Sequence, residues 1–122
     1  MTVKECYEQM GGDYADVMSR LRTDERVLRF LGKVADDASF SLLSSSLQAH
    51  AMEEAFRAAH TLKGICMNLS LTKLFASANA LTEALRGRQE YDDSLLPLFD
   101  AVKADYEATV ASIRALQRQN GL

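Results

Sequence analysis

The sequence predicts an all-α protein, an antiparallel up-down four-helix bundle with short helices capping it at the N-terminus. Three observations predict it. Apolar residues recur at steps of three and four over several long segments, the period of a helix with one buried face. Breakers are few, with one proline and six glycines in 122 residues. The chain is 48% hydrophobic, enough for one domain of this length to bury a single core without staples.

Taken in order, Thr2 or Val3 to Met10 forms a short helix whose apolar edge is Cys6, Tyr7 and Met10. Gly11-Gly12 ends it, and Asp13 caps a second short helix through Leu21. Tyr14, Val17, Met18 and Leu21 have helical spacing and are expected to pack onto the main bundle. Thr23 is the next N-cap, with Asp24 and Glu25 in a first turn where the helix dipole favours negative charge. Val27, Leu28, Leu31, Val34, Ala35, Ala38, Leu42 and Leu43 then predict one long helix to about Gln48, with Asp36 to Ser41 as the place for a bend or break. A helix from about Ala51 to Leu69 follows, and Ser70 is expected to cap the one after it. In that helix Leu71, Leu74, Ala78, Leu81 and Leu85 form the seam, and Gly87 stops it. The last helix starts near Ser94 with Pro97 in its first turn. Leu95, Phe99, Val102, Tyr106, Ile113 and Leu116 make its seam, and Gln117 to Leu122 are expected to fray. The expected organisation is one domain over residues 1–122, with short helices over 1–22 and the bundle over 24–118.

Fourteen basic and 17 acidic residues give a formal charge of −3. The basic residues form no stripe, which argues against nucleic acid as a partner. No stretch approaches the ~18 continuous apolar residues of a membrane span, and the N-terminus has no apolar run of a signal peptide. Cys6 and Cys66 read as reduced, structural thiols of a cytoplasmic protein.

The helix over Ala51 to Leu69 carries the unusual chemistry. Projected at about 100° per residue, Ala51, Ala55, Ala58, Leu62, Cys66 and Leu69 form a stripe, with Met52, Ala59 and Ile65 on its edges. His60 points nearly the opposite way, with Phe56, Arg57, Lys63 and Gly64 one turn from it. Glycine inside a helix costs about 1 kcal/mol relative to alanine. Gly64 therefore either lets another helix approach or leaves room beside the His60 ring, and its place on the outer face favours access.

Other chemistries fit less well. A di-iron bundle needs Glu-x-x-His ligands pointing inward, whereas Arg57 stands three before the outward His60. His50-x-x-Glu53 is a weak pair near a helix start, so no metal site is expected. There is no Gly-x-Ser-x-Gly elbow, no histidine at helical spacing from either cysteine, and no glycine-rich phosphate loop. An exposed histidine acting as nucleophile towards a phosphoryl group remains. A neutral imidazole offers a free lone pair, and the Lys63 ammonium favours that form and then balances the phosphoryl charge.

Arg57-Ala58-Ala59-His60-Thr61-Leu62-Lys63-Gly64, followed by Asn68-Leu69, resembles the signature of histidine-containing phosphotransfer (HPt) domains of multistep phosphorelays. The resemblance runs from near Asp24 to near Ala115. It implies a phosphoacceptor His60 and a phosphoryl-stabilising Lys63 on the second helix of the bundle. The implied partner is a response-regulator receiver domain or a hybrid histidine kinase, with the receiver bringing the Mg²⁺ and the acidic pocket. The chain itself would be a monomeric carrier without kinase activity or cofactor. Phe56, Arg57, Met67 and Phe75 would form the docking rim, with ordinary packing between helices the alternative reading for the apolar three. Two departures stand out: the family commonly has glycine where this chain has Ser70, and many members have a glutamine on the following helix, where Asn79 or Thr82 would have to reach the phosphohistidine. A docking module that binds and inhibits a receiver or kinase without accepting phosphate is the alternative function.

Overall fold

Three polar side chains start the first three helices. The Thr2 hydroxyl accepts from the Glu5 N–H, an Asp13 carboxylate oxygen from the Asp16 N–H and the Thr23 hydroxyl from the Arg26 N–H, each satisfying a donor that the helix start leaves free. The computed structural model describes residues 1–121, and these form seven α-helices. They are α1 (Val3–Met10), α2 (Tyr14–Leu21), α3 (Asp24–Asp36), α4 (Ser39–Gln48), α5 (Met52–Asn68), α6 (Thr72–Leu85) and α7 (Leu95–Gln119). The all-α expectation holds, and among the described residues there is no strand.

The single helix expected from Thr23 to Gln48 is instead two. Asp37 is extended (φ −72°, ψ 143°), and its side chain accepts from the Ser39 N–H at 2.7 Å. Aspartates oppose the dipole at the end of one helix and suit the start of the next, so Asp36-Asp37 favours stopping and restarting. Arg114 on α7 holds the break, donating to the Asp36 carboxylate at 2.9 Å and the Ala35 carbonyl at 3.4 Å. The halves then address different neighbours: α3 packs chiefly on α7 and α2, and α4 on α5. Phe40 of α4 also stacks on Tyr106 and Phe99 of α7, with centroids 4.4 and 5.7 Å apart.

Helix α5 lies between α4 and α6, and α6 packs on α7. Its inner face is Met52, Ala55, Ala58, Ala59, Leu62 and Cys66, all buried. The predicted α6 seam of Leu71, Leu74, Ala78, Leu81 and Leu85 is buried throughout. In α7 Leu95, Val102, Ile113 and Leu116 are buried, Phe99 and Tyr106 partly so, and the helix keeps its form to Gln119 where fraying was expected from Gln117. Leu122 lies outside the described residues. Cys6 and Cys66 are free and buried, and burial pushes their thiols up to about 11 and about 12.

The short N-terminal helices hold the turn between α5 and α6. Ser70 has a left-handed backbone (φ 55°), which glycine adopts without the steric cost a side chain incurs. Its hydroxyl donates to the Asp16 carboxylate at 2.6 Å and accepts from Arg20 at 2.6 Å. The expected Ser70 cap of α6 is thus replaced: the hydroxyl is engaged with α2, and the Lys73 N–H finds the Gly11 carbonyl at 3.1 Å. Four successive carbonyls after the end of the α5 hydrogen-bond ladder accept from the N-terminal segment. Met67 and Asn68 accept from Arg20 (3.4 and 2.8 Å), Leu69 from the Tyr7 hydroxyl (2.8 Å) and Ser70 from the Asp13 N–H (2.8 Å). Gly12 permits this approach, since a Cβ there would stand 2.8 Å from the Tyr7 ring and 2.9 Å from the Ser70 carbonyl oxygen. No helix of the described residues is long and apolar enough to cross a membrane.

Candidate functional site

Helix α5 buries Ala58, Ala59 and Leu62, so its 3.6-residue period turns the intervening His60 outward. The ring is exposed and lies nearly parallel to the Phe56 ring one turn earlier, at 5.8 Å and 14°. The Arg86 guanidinium lies over the Phe56 ring, 5.1 Å from its centroid. Such a cation near an aromatic face is modestly favourable at an exposed site.

Lys63 extends along the surface towards α6, and its Nζ stands 3.8 Å from a carboxylate oxygen of Glu83. The lysine side chain is 20% exposed and the glutamate 51%. Glu83 also accepts two bonds from Arg86, from Nε at 3.1 Å and from a terminal nitrogen at 3.0 Å. The Arg86 bonds, and then the nearby charges of Arg86, Lys63 and His60, hold the Glu83 carboxyl below its usual range. His60, Phe56, Arg86, Glu83 and Lys63 therefore form one surface cluster contributed by α5, α6 and the residue just past α6.

Gly64 faces open space. No atom beyond its immediate helix backbone lies within 4 Å of where a Cβ would stand. No neighbouring helix uses the missing side chain, so the close-packing reading has no contact to rest on. What the glycine does leave is an unobstructed flank one turn from His60.

The remaining predicted residues divide. Met67 is 57% exposed, while Phe56 and Phe75 are half-buried against the core. Arg57 is exposed and paired with Glu53 one turn earlier. Asn79 is half-buried on α6, one turn before Glu83. Thr82 is fully buried, and its hydroxyl donates to the Ala78 carbonyl at 2.7 Å. Its place in the α6 seam turns it into the core, away from the part expected of it at the imidazole. Sequence reasoning missed Glu83 and Arg86. The α6 register contains the signal, since Glu83 stands four residues after Asn79, whereas Thr82 stands four after the buried Ala78.

Chemically the cluster offers an accessible imidazole, two cations within a turn or a helix of it, and one carboxylate between those cations. Among the described residues no three His, Cys, Asp or Glu side chains come together to hold a metal ion. A family model described as Hpt domain matches residues 27–112. No curated protein and no solved structure matches the chain.

Proposed function

Because the chain belongs to the Hpt domain family, we propose that it carries a phosphoryl group on His60 to or from the aspartate of a receiver domain in a phosphorelay. The observation that carries this reading is the exposed His60 with Lys63 one turn on and open space at Gly64. An imidazole nitrogen attacks phosphorus in line with the aspartyl oxygen, so the N–P bond forms as the O–P bond breaks. The electron pair of the broken bond stays on the aspartate, and the other ring nitrogen keeps its proton or gives it to water. Lys63 supplies a charge-assisted hydrogen bond to the transferred oxygens. The reverse sequence returns the group to a receiver.

In this reading the receiver brings the Mg²⁺ and its acidic pocket, whose role is to neutralise phosphoryl charge. The chain supplies no kinase of its own. It acts as a cytoplasmic monomer, built as an antiparallel four-helix bundle in which α3 and α4 together make the first helix. Phe56, Arg57, Met67 and Phe75 form the rim on which the receiver sits, around His60.

The test is to mix the protein with a phosphorylated receiver domain of its own cell and look for an acid-labile, alkali-stable phosphoryl group on it. His60→Gln is expected to abolish the label while circular dichroism and the thermal midpoint stay as in the wild type. A wild type that binds such a receiver and never takes label would instead make the chain an inhibitory docking module.

A further inference from the structure

We infer that Glu83 is a positioning residue that sets how firmly His60 holds its phosphoryl group, by competing with that group for Lys63. The inference rests on the carrier reading above. Before transfer, one carboxylate is shared by two cations of the cluster, at 3.8 Å from Lys63 and 3.0 to 3.1 Å from Arg86. Lys63 is the more enclosed partner of its pair, and its ammonium lies towards the Glu83 carboxylate, on a residue one helical turn from His60.

A phosphoryl group on His60 brings close to two negative charges to the same place. Lys63, three residues on, then has two anions to choose between. The phosphoryl oxygens carry more charge, so they draw the ammonium; Glu83 gives up part of its ion pair and remains as a like charge beside the product. Both effects raise the free energy of the phosphorylated chain relative to the free one. Glu83 thus makes phosphorylated His60 a better donor and a poorer store. Arg86 stays anchored over the Phe56 ring, which keeps the displaced carboxylate near the site.

The experiment measures the phosphoryl equilibrium between the full chain and a receiver domain that charges it, with Glu83→Gln, Glu83→Asp, Lys63→Gln and the Lys63→Gln/Glu83→Gln double variant. Glu83→Gln keeps size and removes charge. It is expected to shift the equilibrium towards His60 by about fivefold, the size of one unit-charge interaction across about 4 Å in water, as for an exposed ion pair. Glu83→Asp is expected to stay within about twofold of the wild type, because the charge remains. In the Lys63→Gln background the Glu83→Gln shift is expected to shrink, since residues acting through one partner are not additive.

A ratio unchanged by Glu83→Gln, or moved towards the receiver, overturns the inference while wild-type exchange leaves the carrier reading standing. An equal shift with and without Lys63 overturns the competition for that lysine. A wild type that exchanges no phosphoryl group overturns the carrier reading and this inference with it. A merely structural Glu83 would move the thermal midpoint and leave the ratio alone.

Discussion

Position 64 costs α5 stability that no contact returns. A helical glycine is about 1 kcal/mol worse than alanine, and the space its side chain would fill is empty. Gly64→Ala is therefore expected to raise stability by roughly 0.5–1 kcal/mol in urea denaturation. Gly64→Gln should leave stability level or higher and slow phosphotransfer at least about tenfold, by standing where the reacting groups must align. Large and equal losses of both would identify a packing residue. His60, Lys63 and Gly64 were legible together because one helix carries them, and a projection of a single segment places them. Glu83 and Arg86 were not, because they arrive from the far end of α6, and only the pairing of α5 with α6 decides which of its residues reach the imidazole. The Ser70 hydroxyl shows the same limit: its chemistry suited a cap, but Asp16 and Arg20, 54 and 50 residues earlier, claimed it.

Helices α3 and α4 show how an element is divided by a signal weaker than proline or glycine. The apolar period runs across Ala35 to Leu42 with little interruption, which is why periodicity alone predicts one helix. What periodicity leaves out is that Asp37 offers its own carboxylate to the Ser39 N–H, and that Asx-type bonding competes with the helical ladder. Asp37→Ala removes that acceptor and is expected to destabilise the protein by about 1 kcal/mol, as loss of a helix cap does. Urea titration checks it; an unchanged or raised stability would mean that a continuous helix was waiting behind the break. The remaining elements were readable to within a residue or two because each has a capping side chain or a buried stripe of its own. α4 has only the short stripe of Ser39, Leu43 and Leu47.

At the scale of the molecule, the family pattern begins at residue 27, beyond both short N-terminal helices. Their packing onto the bundle was legible from the apolar edges of α1 and α2. That they terminate α5 was not, because the acceptors are main-chain carbonyls with no side-chain signature. Tyr7→Phe tests the arrangement. It removes the donor to the Leu69 carbonyl and keeps the buried ring, so a loss of about 1–3 kcal/mol is expected. That bond joins residues 62 apart in the chain, and contacts of such separation become favourable only after the intervening chain has been ordered. The loss should therefore appear as faster unfolding with folding speed little altered, measured by stopped-flow in urea. Residues 1–22 are thus expected to dock late, once the α5–α6 turn exists, and then to lock it.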